Sequence, residues 1–456
     1  MAQPQRPSRV RNLTWWATFS ESVQSRLWPL PVTAVIVAVA VGIVLPRLDV
    51  LVDSALPTDV DSVIFSGGAE TARSVLSSIA GSLITATSLT FSLTVVALQL
   101  ASSQASPRVL RLFARDRQVH ATLALFLGTF AYSLTVLRSV RAETESVPEF
   151  VPRISVTTGF VLTLVSVVML VFFLAHLAAQ LRVETMLKDI HADTDRVIDR
   201  VGQSNAASTG YPGVFTIPDQ PITVTVTSNG FITGHDHAAL IAAADRHSII
   251  IQERRRIGEN VVVGTPLASW WTTGTTEPDH AAIETAIRSA YTTGYERTAA
   301  QDIGYGLQQI VDISVRALSP GINDPTTAMN ALGHLSALLT RVLTMPVLPA
   351  GLTGPDGHLR LIPTPATPSS TINEVLSPVR HHGAGDPAVV ARFLQVVSDI
   401  HTTCTKPAVD EALLRQLEAL DSQLRTSNSD PVAVAELTAS LARLKACINP
   451  TDESGV

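Results

Sequence analysis

Four long apolar runs dominate the N-terminal part of the chain. Each lacks charged residues, and together they cover residues 28–45, 79–100, 121–137 and 154–175. Each run is close to the ~20 residues that a helix needs to cross the hydrocarbon core of a bilayer. A helix is the expected form, because it satisfies its own backbone hydrogen bonds in lipid. The pattern predicts a four-helix transmembrane domain over residues 28–181, after an N-terminal arm over residues 1–27.

Beyond the fourth run, the spacing of apolar positions becomes that of a soluble domain. A connecting helix and loop are predicted over residues 182–221. Residues 222–233 alternate with period two, which indicates strands. Gly258 and Gly264 then bracket a short turn-strand-turn unit, since glycine permits tight turns. This unit resembles that of barrel-sandwich domains and predicts a small barrel-sandwich-like β module over residues 222–272.

Helical periodicity returns after the β module. A helical segment over residues 273–345 contains a first helix at 277–294 and the motifs RTAAQD and SPGINDP. Three proline-led helix starts follow a loop rich in Pro and Gly: Asp386-Pro387, Lys406-Pro407 and Asp430-Pro431. Residues 346–456 are therefore predicted to form this loop and a C-terminal helical bundle. The predicted fold class is a membrane α-helical domain followed by a cytoplasmic α+β domain.

The charges that flank the apolar runs predict their orientation. The N-terminal arm is basic, the loop after the first run is mainly acidic, and the loop after the second run is strongly basic. Positive charge collects on the cytoplasmic side, so the arm and the second loop are expected to be cytoplasmic. Four spans return the chain to the same side. We therefore expect a multi-pass protein of the plasma (inner) membrane with both termini in the cytoplasm.

The basic second loop contains four arginines in ten residues: Arg108, Arg111, Arg115 and Arg117. Two interpretations remain open. The arginines contact anionic lipid headgroups or attract anions to a pore mouth, or they serve only as the positive anchor of the neighbouring spans. The second interpretation is favoured, because such anchors are general in membrane proteins.

Composition excludes several functions. The net charge of −6 gives no basic face for nucleic acid. No lysine lies between Lys188 and Lys406, so the β module cannot carry lipoyl or biotinyl groups covalently. No nucleophile-base spacing and no His-rich or Cys-rich cluster is evident. We expect no catalytic residues, no metal and no cofactor, and therefore no enzyme activity.

The second apolar run is unusually rich in hydroxyl groups. At 100° per residue, six polar side chains fall on one face of the predicted helix: Ser78, Ser82, Thr85, Ser88, Ser92 and Gln99. They line a pore in one interpretation. In the other they let helices pack closely, with hydroxyls bonded to their own backbone. Packing is favoured, and the length of the face keeps the pore interpretation open.

The densest polar group of the soluble domain lies around the two motifs. It comprises Arg297, Asp302, Asp312, Arg316, Asn323 and Asp324. Such a group suits a phosphate, nucleotide or metal site, or a network of ion pairs with Asp324 as a helix cap. The structural network is favoured, because no Gly-rich phosphate loop accompanies these residues.

Several segments together resemble a known bacterial family. They include FSLTVVALQLASSQASPRVLRLFAR at 91–115, LGTFAYSLTVLR at 127–138 and DISVRALSPGINDPTTA at 312–328. These motifs resemble domain of unknown function 2254, a family of predicted membrane proteins. The resemblance implies a membrane protein of this architecture, and it implies no activity and no site residues.

Two functions remain from the sequence. One is an oligomeric channel or transport-like protein, a homo-oligomer in the bilayer with a cytoplasmic regulatory domain. The other is a membrane-anchored scaffold or sensor whose cytoplasmic domain binds a partner or a small ligand. Neither function is clearly favoured over the other by the sequence.

Overall fold

The computed structural model describes residues 28–52, 64–104, 116–143, 149–273, 278–426 and 430–449. The chain divides into two compact units between Arg182 and Val183. Each unit has its own core, and each is described separately.

The first unit contains four apolar helices. They are α1 (Pro29–Val52), α2 (Ala69–Gln104), α3 (Arg117–Leu137) and α4 (Arg153–Gln180). All four are long and apolar enough to cross a membrane, which agrees with the four predicted spans. α2 begins ten residues before its predicted start. Glu70 and Arg73 interrupt the apolar run there, but Ala72 and Leu76 on the same turns are buried against the other helices.

Side chains fix the helix ends on one side of this unit. Asp49 near the end of α1 is only 4% exposed and accepts hydrogen bonds from the backbone N–H groups of Ile154 and Ser155, at 2.9 and 3.0 Å. The Ser155 hydroxyl also donates to it. Glu149 likewise accepts from the N–H of Ala69 at 2.6 Å. These carboxylates satisfy donors at helix N-termini, which have no partners within the helix.

The second unit contains nine helices and eight strands among its described residues. In chain order they are α5 (Val183–Ala207), β1 (Ile222–Thr225), β2 (Gly230–His235), α6 (His237–His247), β3 (Ile249–Glu253), β4 (Asn260–Val261), β5 (Pro266–Thr272), α7 (His280–Ser289), β6 (Tyr291–Gly294), α8 (Ile303–Ala317), α9 (Pro325–Thr344), β7 (Leu352–Thr353), β8 (Leu359–Ile362), α10 (Pro368–Gly383), α11 (Pro387–Thr403), α12 (Pro407–Arg425) and α13 (Pro431–Ile448).

The strands form two open sheets. One has the order β1-β5-β3-β8-β7, with β3 and β8 parallel, and the other has the order β4-β2-β6. Trp270, Ile251 and Leu361 belong to the buried core beneath them. The strands within residues 222–272 are shared between both sheets, and each sheet is completed by strands from later in the chain. Among the described residues no sheet closes, so the barrel-like part of the predicted β module is wrong.

The helix starts marked by proline were predicted correctly, but strand β6 and the start of helix α10 were not. Asp386 and Asp430 cap α11 and α13, each with proline in the first turn. Residues 291–294 form β6 instead of ending the helix predicted over 277–294, because Tyr291–Gly294 pair with β2. α10 occupies part of the stretch expected to be a loop. Thr367 and Ser370 form a capping box that starts it.

Candidate metal centre

Two histidines lie on either side of a strand-to-helix junction. His235 is the last residue of β2, and His237 is the first residue of α6. Asp236 between them is the N-cap of α6, and its carboxylate accepts from the N–H of Ala239 at 3.0 Å. The cap stops the strand and starts the helix, so the two imidazole rings come together with centroids 4.0 Å apart.

A buried carboxylate faces the two histidines from the other sheet. β3 alternates between buried and half-buried positions, and Glu253 follows Ile249 and Ile251 at the buried ones. The alternation of a strand thus directs its carboxylate inward, and its side chain is only 2% exposed. A carboxylate at this depth needs compensating partners.

Three potential ligand atoms converge at this point. His235 Nδ1 lies 3.1 Å from Glu253 Oε1, and His237 Nε2 lies 3.3 Å from the same oxygen. The three ligand atoms lie within 4.8 Å of one another. Both nitrogens are buried and close enough for an ion pair, but neither makes a hydrogen bond within the described part of the chain. The two imidazole nitrogens and the carboxylate oxygen are therefore close enough together for one ion to contact all three.

Neighbouring groups hold the carboxylate in place. The Tyr291 hydroxyl donates to Oε1 at 3.2 Å, and the N–H of Thr364 donates to Oε2 at 3.2 Å. The Thr364 hydroxyl also donates to the Glu253 backbone carbonyl. Tyr291 is the cross-strand partner of His235 in β6, and Thr364 follows β8, the parallel neighbour of β3. Both sheets therefore contribute to the orientation of one side chain.

Electrostatics favours a charged carboxylate here. Burial raises the pKa of the Glu253 carboxyl, but the facing His235 and His237 side chains lower it more, and its pKa lies well below the ordinary value. Burial, followed by the charge of Glu253, raises the pKa of Tyr291 well above its ordinary value. Tyr291 thus stays a neutral donor beside a negative oxygen.

The geometry suits a transition-metal ion. Ligand distances of 2.0–2.2 Å to a tetrahedral zinc place neighbouring ligand atoms roughly 3.3 Å apart. The two separations from Oε1 are 3.1 and 3.3 Å. Two histidines and one carboxylate form a known ligand set for zinc and for non-haem iron. Imidazole ligands also suit copper and nickel, whereas calcium and magnesium prefer oxygen.

The predicted hydroxyl-rich face lies on the outside of the first unit. Ser78, Ser82, Thr85, Ser88, Ser92 and Gln99 are all exposed. Contacts with the other helices are instead made by the opposite face of α2, where Thr87, Thr90 and Thr94 are buried. Thr85 and Ser88 donate to backbone carbonyls one turn earlier, which satisfies these hydroxyls within the helix.

The predicted polar cluster divides into local pairs and caps. Arg297 donates twice to Asp302 at 2.8 Å, and Asp302 caps α8 through the N–H of Tyr305. Asp312 accepts from Gln308 within α8. The Thr327 hydroxyl and N–H bond to Asp324, the N-cap of α9, and hold its pKa below the ordinary value.

The remaining predicted residues have simple positions. Arg316 lies in the last turn of α8, and Asn323 adopts a left-handed backbone just before the α9 cap. Arg117 starts α3. Arg108, Arg111 and Arg115 lie outside the described residues.

The residues of the candidate centre are visible in the sequence, but they were not recognised as a set of metal ligands, and no metal was expected. His235 and His237 form a His-x-His pair just after the period-two stretch of residues 222–233, and Glu253 follows the β-branched run Ile249-Ile250-Ile251. Two strand ends can meet, but only the pairing of the sheets shows that these two do. The distance of sixteen residues between His237 and Glu253 concealed the set.

Comparison with known proteins agrees with the architecture. The family model described as "Predicted membrane protein (DUF2254)" matches residues 24–399. Uncharacterized proteins of Mycobacterium bovis and of Mycobacterium tuberculosis are each 32% identical over 401 residues, which is 87% of this chain and 75% of each relative. No solved structure matches the chain.

Proposed function

This chain belongs to the family of predicted membrane proteins called domain of unknown function 2254, and from that premise we propose that it is a membrane-anchored metal sensor. Its first unit anchors it in the bilayer. Its second unit binds a divalent transition-metal ion through His235, His237 and Glu253. The proposal extends the sensor interpretation of the sequence and gives its ligand a chemical class.

One observation carries this proposal. Two buried imidazole nitrogens, which make no hydrogen bond to any described residue, face one oxygen of a carboxylate that is 2% exposed. An ion would bond to all three atoms at once and neutralise the buried charge. Tyr291 and Thr364 supply the surrounding hydrogen bonds that metal ligands typically have.

The alternating charge of the loops supports a cytoplasmic position for the second unit. In that position the centre would sample the metal pool of the cell interior. The plasma membrane is the natural location for a four-span protein with basic loops on one side. The expected consequence is a protein that responds to intracellular metal.

Direct metal binding tests the proposal. The full chain, purified in detergent without a polyhistidine tag, should bind about one Zn²⁺ per chain in calorimetry and in metal analysis after dialysis. His237→Gln and Glu253→Gln should each weaken Zn²⁺ binding by at least about 10–100-fold, since even residues that only support ligands have effects of this size. Mg²⁺ and Ca²⁺ should not compete.

A matched control separates the centre from other histidines. His247 ends α6, the helix that begins at His237, and it belongs to no candidate ligand group among the described residues. His247→Gln should bind Zn²⁺ as the wild type does. If wild-type protein takes up no Zn²⁺, Ni²⁺ or Fe²⁺ while Glu253→Gln lowers its melting temperature, the cluster is a structural ion-pair network and the proposal is wrong.

A second candidate function, the oligomeric channel, is favoured by the exposed hydroxyl-rich face of α2. A polar face that the other three helices leave uncovered over Ser78–Gln99 suits contact with further copies, either in a packed interface or around a pore. This candidate ranks second because the hydroxyls of Thr85 and Ser88 already bond within their own helix.

Reconstitution into bilayers tests the second candidate. If the face lines a pore, Ser82→Leu, Thr85→Leu and Ser88→Leu should change ion conductance, because they replace polar lining with bulky apolar groups. Val167→Leu, on the exposed surface of α4, is the control and should leave any current unchanged. Absence of flux for common ions and osmolytes would remove the channel from consideration.

A further inference from the structure

The segment between β6 and α8 contacts the candidate metal centre on one side. Gln301 Oε1 accepts a hydrogen bond from the backbone N–H of His235 at 3.1 Å. Gly234, the preceding residue, also lies against the Gln301 amide. The backbone of a candidate ligand is therefore held by a residue of the RTAAQD motif, residues 297–302, which we call the connector.

The connector contacts α5 on its other side. Arg200 of α5 donates to the carbonyl of Ala300, the residue next to Gln301, at 2.6 Å. Arg297 and Asp302, at the two ends of the connector, are joined by two hydrogen bonds of 2.8 Å. Consecutive residues of one short, internally braced segment are thus bonded to the candidate centre and to α5.

Close packing strengthens the contact between α8 and α5. α8 begins immediately after the connector, with Asp302 as its cap. Gly306 in its first turns approaches α5 so closely that a Cβ atom would overlap the hydroxyl of Thr194. Helices packed this closely transmit small displacements, because the contact between them leaves no free space for either helix to move into.

α5 is also the element nearest in sequence to the membrane spans. α4 ends at Gln180, and α5 begins at Val183. α5 is therefore the helix of the second unit that the chain joins directly to the last span. The connector thus provides a hydrogen-bonded route from the candidate centre to this helix.

We propose that metal occupancy of the His235, His237 and Glu253 centre is communicated to α5 through the connector, by Gln301 on one side and Arg200 on the other. This inference rests on the proposed metal binding and adds its regulatory output. Both imidazole nitrogens already lie 3.1–3.3 Å from Glu253 Oε1, so binding reduces the motion of His235 more than it shifts its position. The signal is a loss of local flexibility that spreads through the connector into α5.

Hydrogen exchange of the full chain in detergent, with and without Zn²⁺, measures this communication. In the wild type, Zn²⁺ should slow exchange in the connector and in residues 194–207 of α5 about fivefold or more, at the low end of typical coupling between sites. Arg200→Gln should bind Zn²⁺ with nearly wild-type affinity in calorimetry, because Arg200 is exposed and is not one of the three candidate ligands. In this variant the slowing should persist in the connector and be clearly weaker in α5.

Arg196→Gln is the matched control. Arg196 lies one turn before Arg200 on the same helix, and its described hydrogen bonds, to Asp193 and Ala192, stay within α5. It should retain the full response of α5 to Zn²⁺. Gln301→Ala tests the other side, and it should weaken the response in both the connector and α5.

The outcomes distinguish the two proposals. If Zn²⁺ binds but α5 exchange does not change, or changes equally in Arg200→Gln, the communication is wrong and metal binding stands. If calorimetry shows no binding of Zn²⁺, Ni²⁺ or Fe²⁺ to the wild type, both proposals fail together. A response of α5 that requires Arg200 and not Arg196 supports the connector.

Discussion

At the residue scale, two glycines show how the same backbone conformation serves different purposes. Gly258 and Gly264 both have φ near 86°, a left-handed conformation that favours glycine. A Cβ atom at Gly258 would lie 2.5 Å from Asp302 Oδ2 and 2.8 Å from Arg297, whereas a Cβ atom at Gly264 would meet nothing within 4 Å. Gly258 therefore permits both a turn and the close approach of the connector.

Alanine substitution at the two glycines separates these effects. Gly264→Ala should cost roughly 1–2 kcal/mol, the strain of a left-handed alanine. Gly258→Ala should cost about 1–3 kcal/mol more, because it also forces apart well-packed groups. Denaturant unfolding of the two variants, compared with wild type, measures the difference. If both variants lose the same free energy of unfolding, Arg297 and Asp302 of the connector move away from the new Cβ atom at no cost.

The candidate centre also depends on single residues. The sequence places His235, Asp236 and His237 in a strand-to-helix junction, and the Asp236 cap makes that junction predictable from residue types alone. Glu253 follows three consecutive isoleucines, a composition typical of a strand. The meeting of these three side chains was not predictable. It depends on which strand ends lie next to each other, and the local sequence of a strand does not specify its neighbours.

At the element scale, α5 and α9 meet through a pair of histidines. His191 Nδ1 and His334 Nδ1 lie 3.0 Å apart, so at most one of the two nitrogens carries a proton in this contact. Burial, and then the charge of His191, lower the pKa of His334 below its ordinary value of 6.5. Charged groups near the pair are Asp195, Arg341 and Arg392.

This pair predicts a pH dependence of stability. Because the pKa of His334 is lower in the folded state, the unfolded chain binds more protons between the two pKa values. The stabilisation is fully present above about pH 6.5 and is lost as the pH falls through the folded-state pKa. His334→Gln should therefore flatten the fall in melting temperature between about pH 7.5 and 5.

His382 provides the control for this measurement. It is exposed, and its described contacts are with the Pro378 carbonyl and the His381 ring of its own helix. His382→Gln should keep the pH profile of the wild type. A profile unchanged by His334→Gln would place the acid sensitivity elsewhere in the chain.

At the scale of the whole molecule, charge and hydropathy make a prediction about topology. The basic N-terminal arm and the basic loop after α2 predict that both lie in the cytoplasm, as does the C-terminus. Reporter fusions at Gln104 and Val456 should report the cytoplasm, and fusions at Val60 and Ser146 should report the opposite side. A periplasmic signal at Gln104 or Val456 would reverse the orientation and remove intracellular metal as the expected ligand.

The sequence by itself determined the four apolar spans, the proline-led helices and the family. These follow from local rules, because a helix in lipid needs about 20 apolar residues and a cap needs particular side chains within one turn. Only the tertiary structure decided that the strands form two open sheets and that β6 pairs with β2. It also placed the hydroxyl-rich face of α2 outward and brought His235 and His237 to Glu253. Strand pairing depends on contacts between distant residues, and the composition of each strand does not specify its partner.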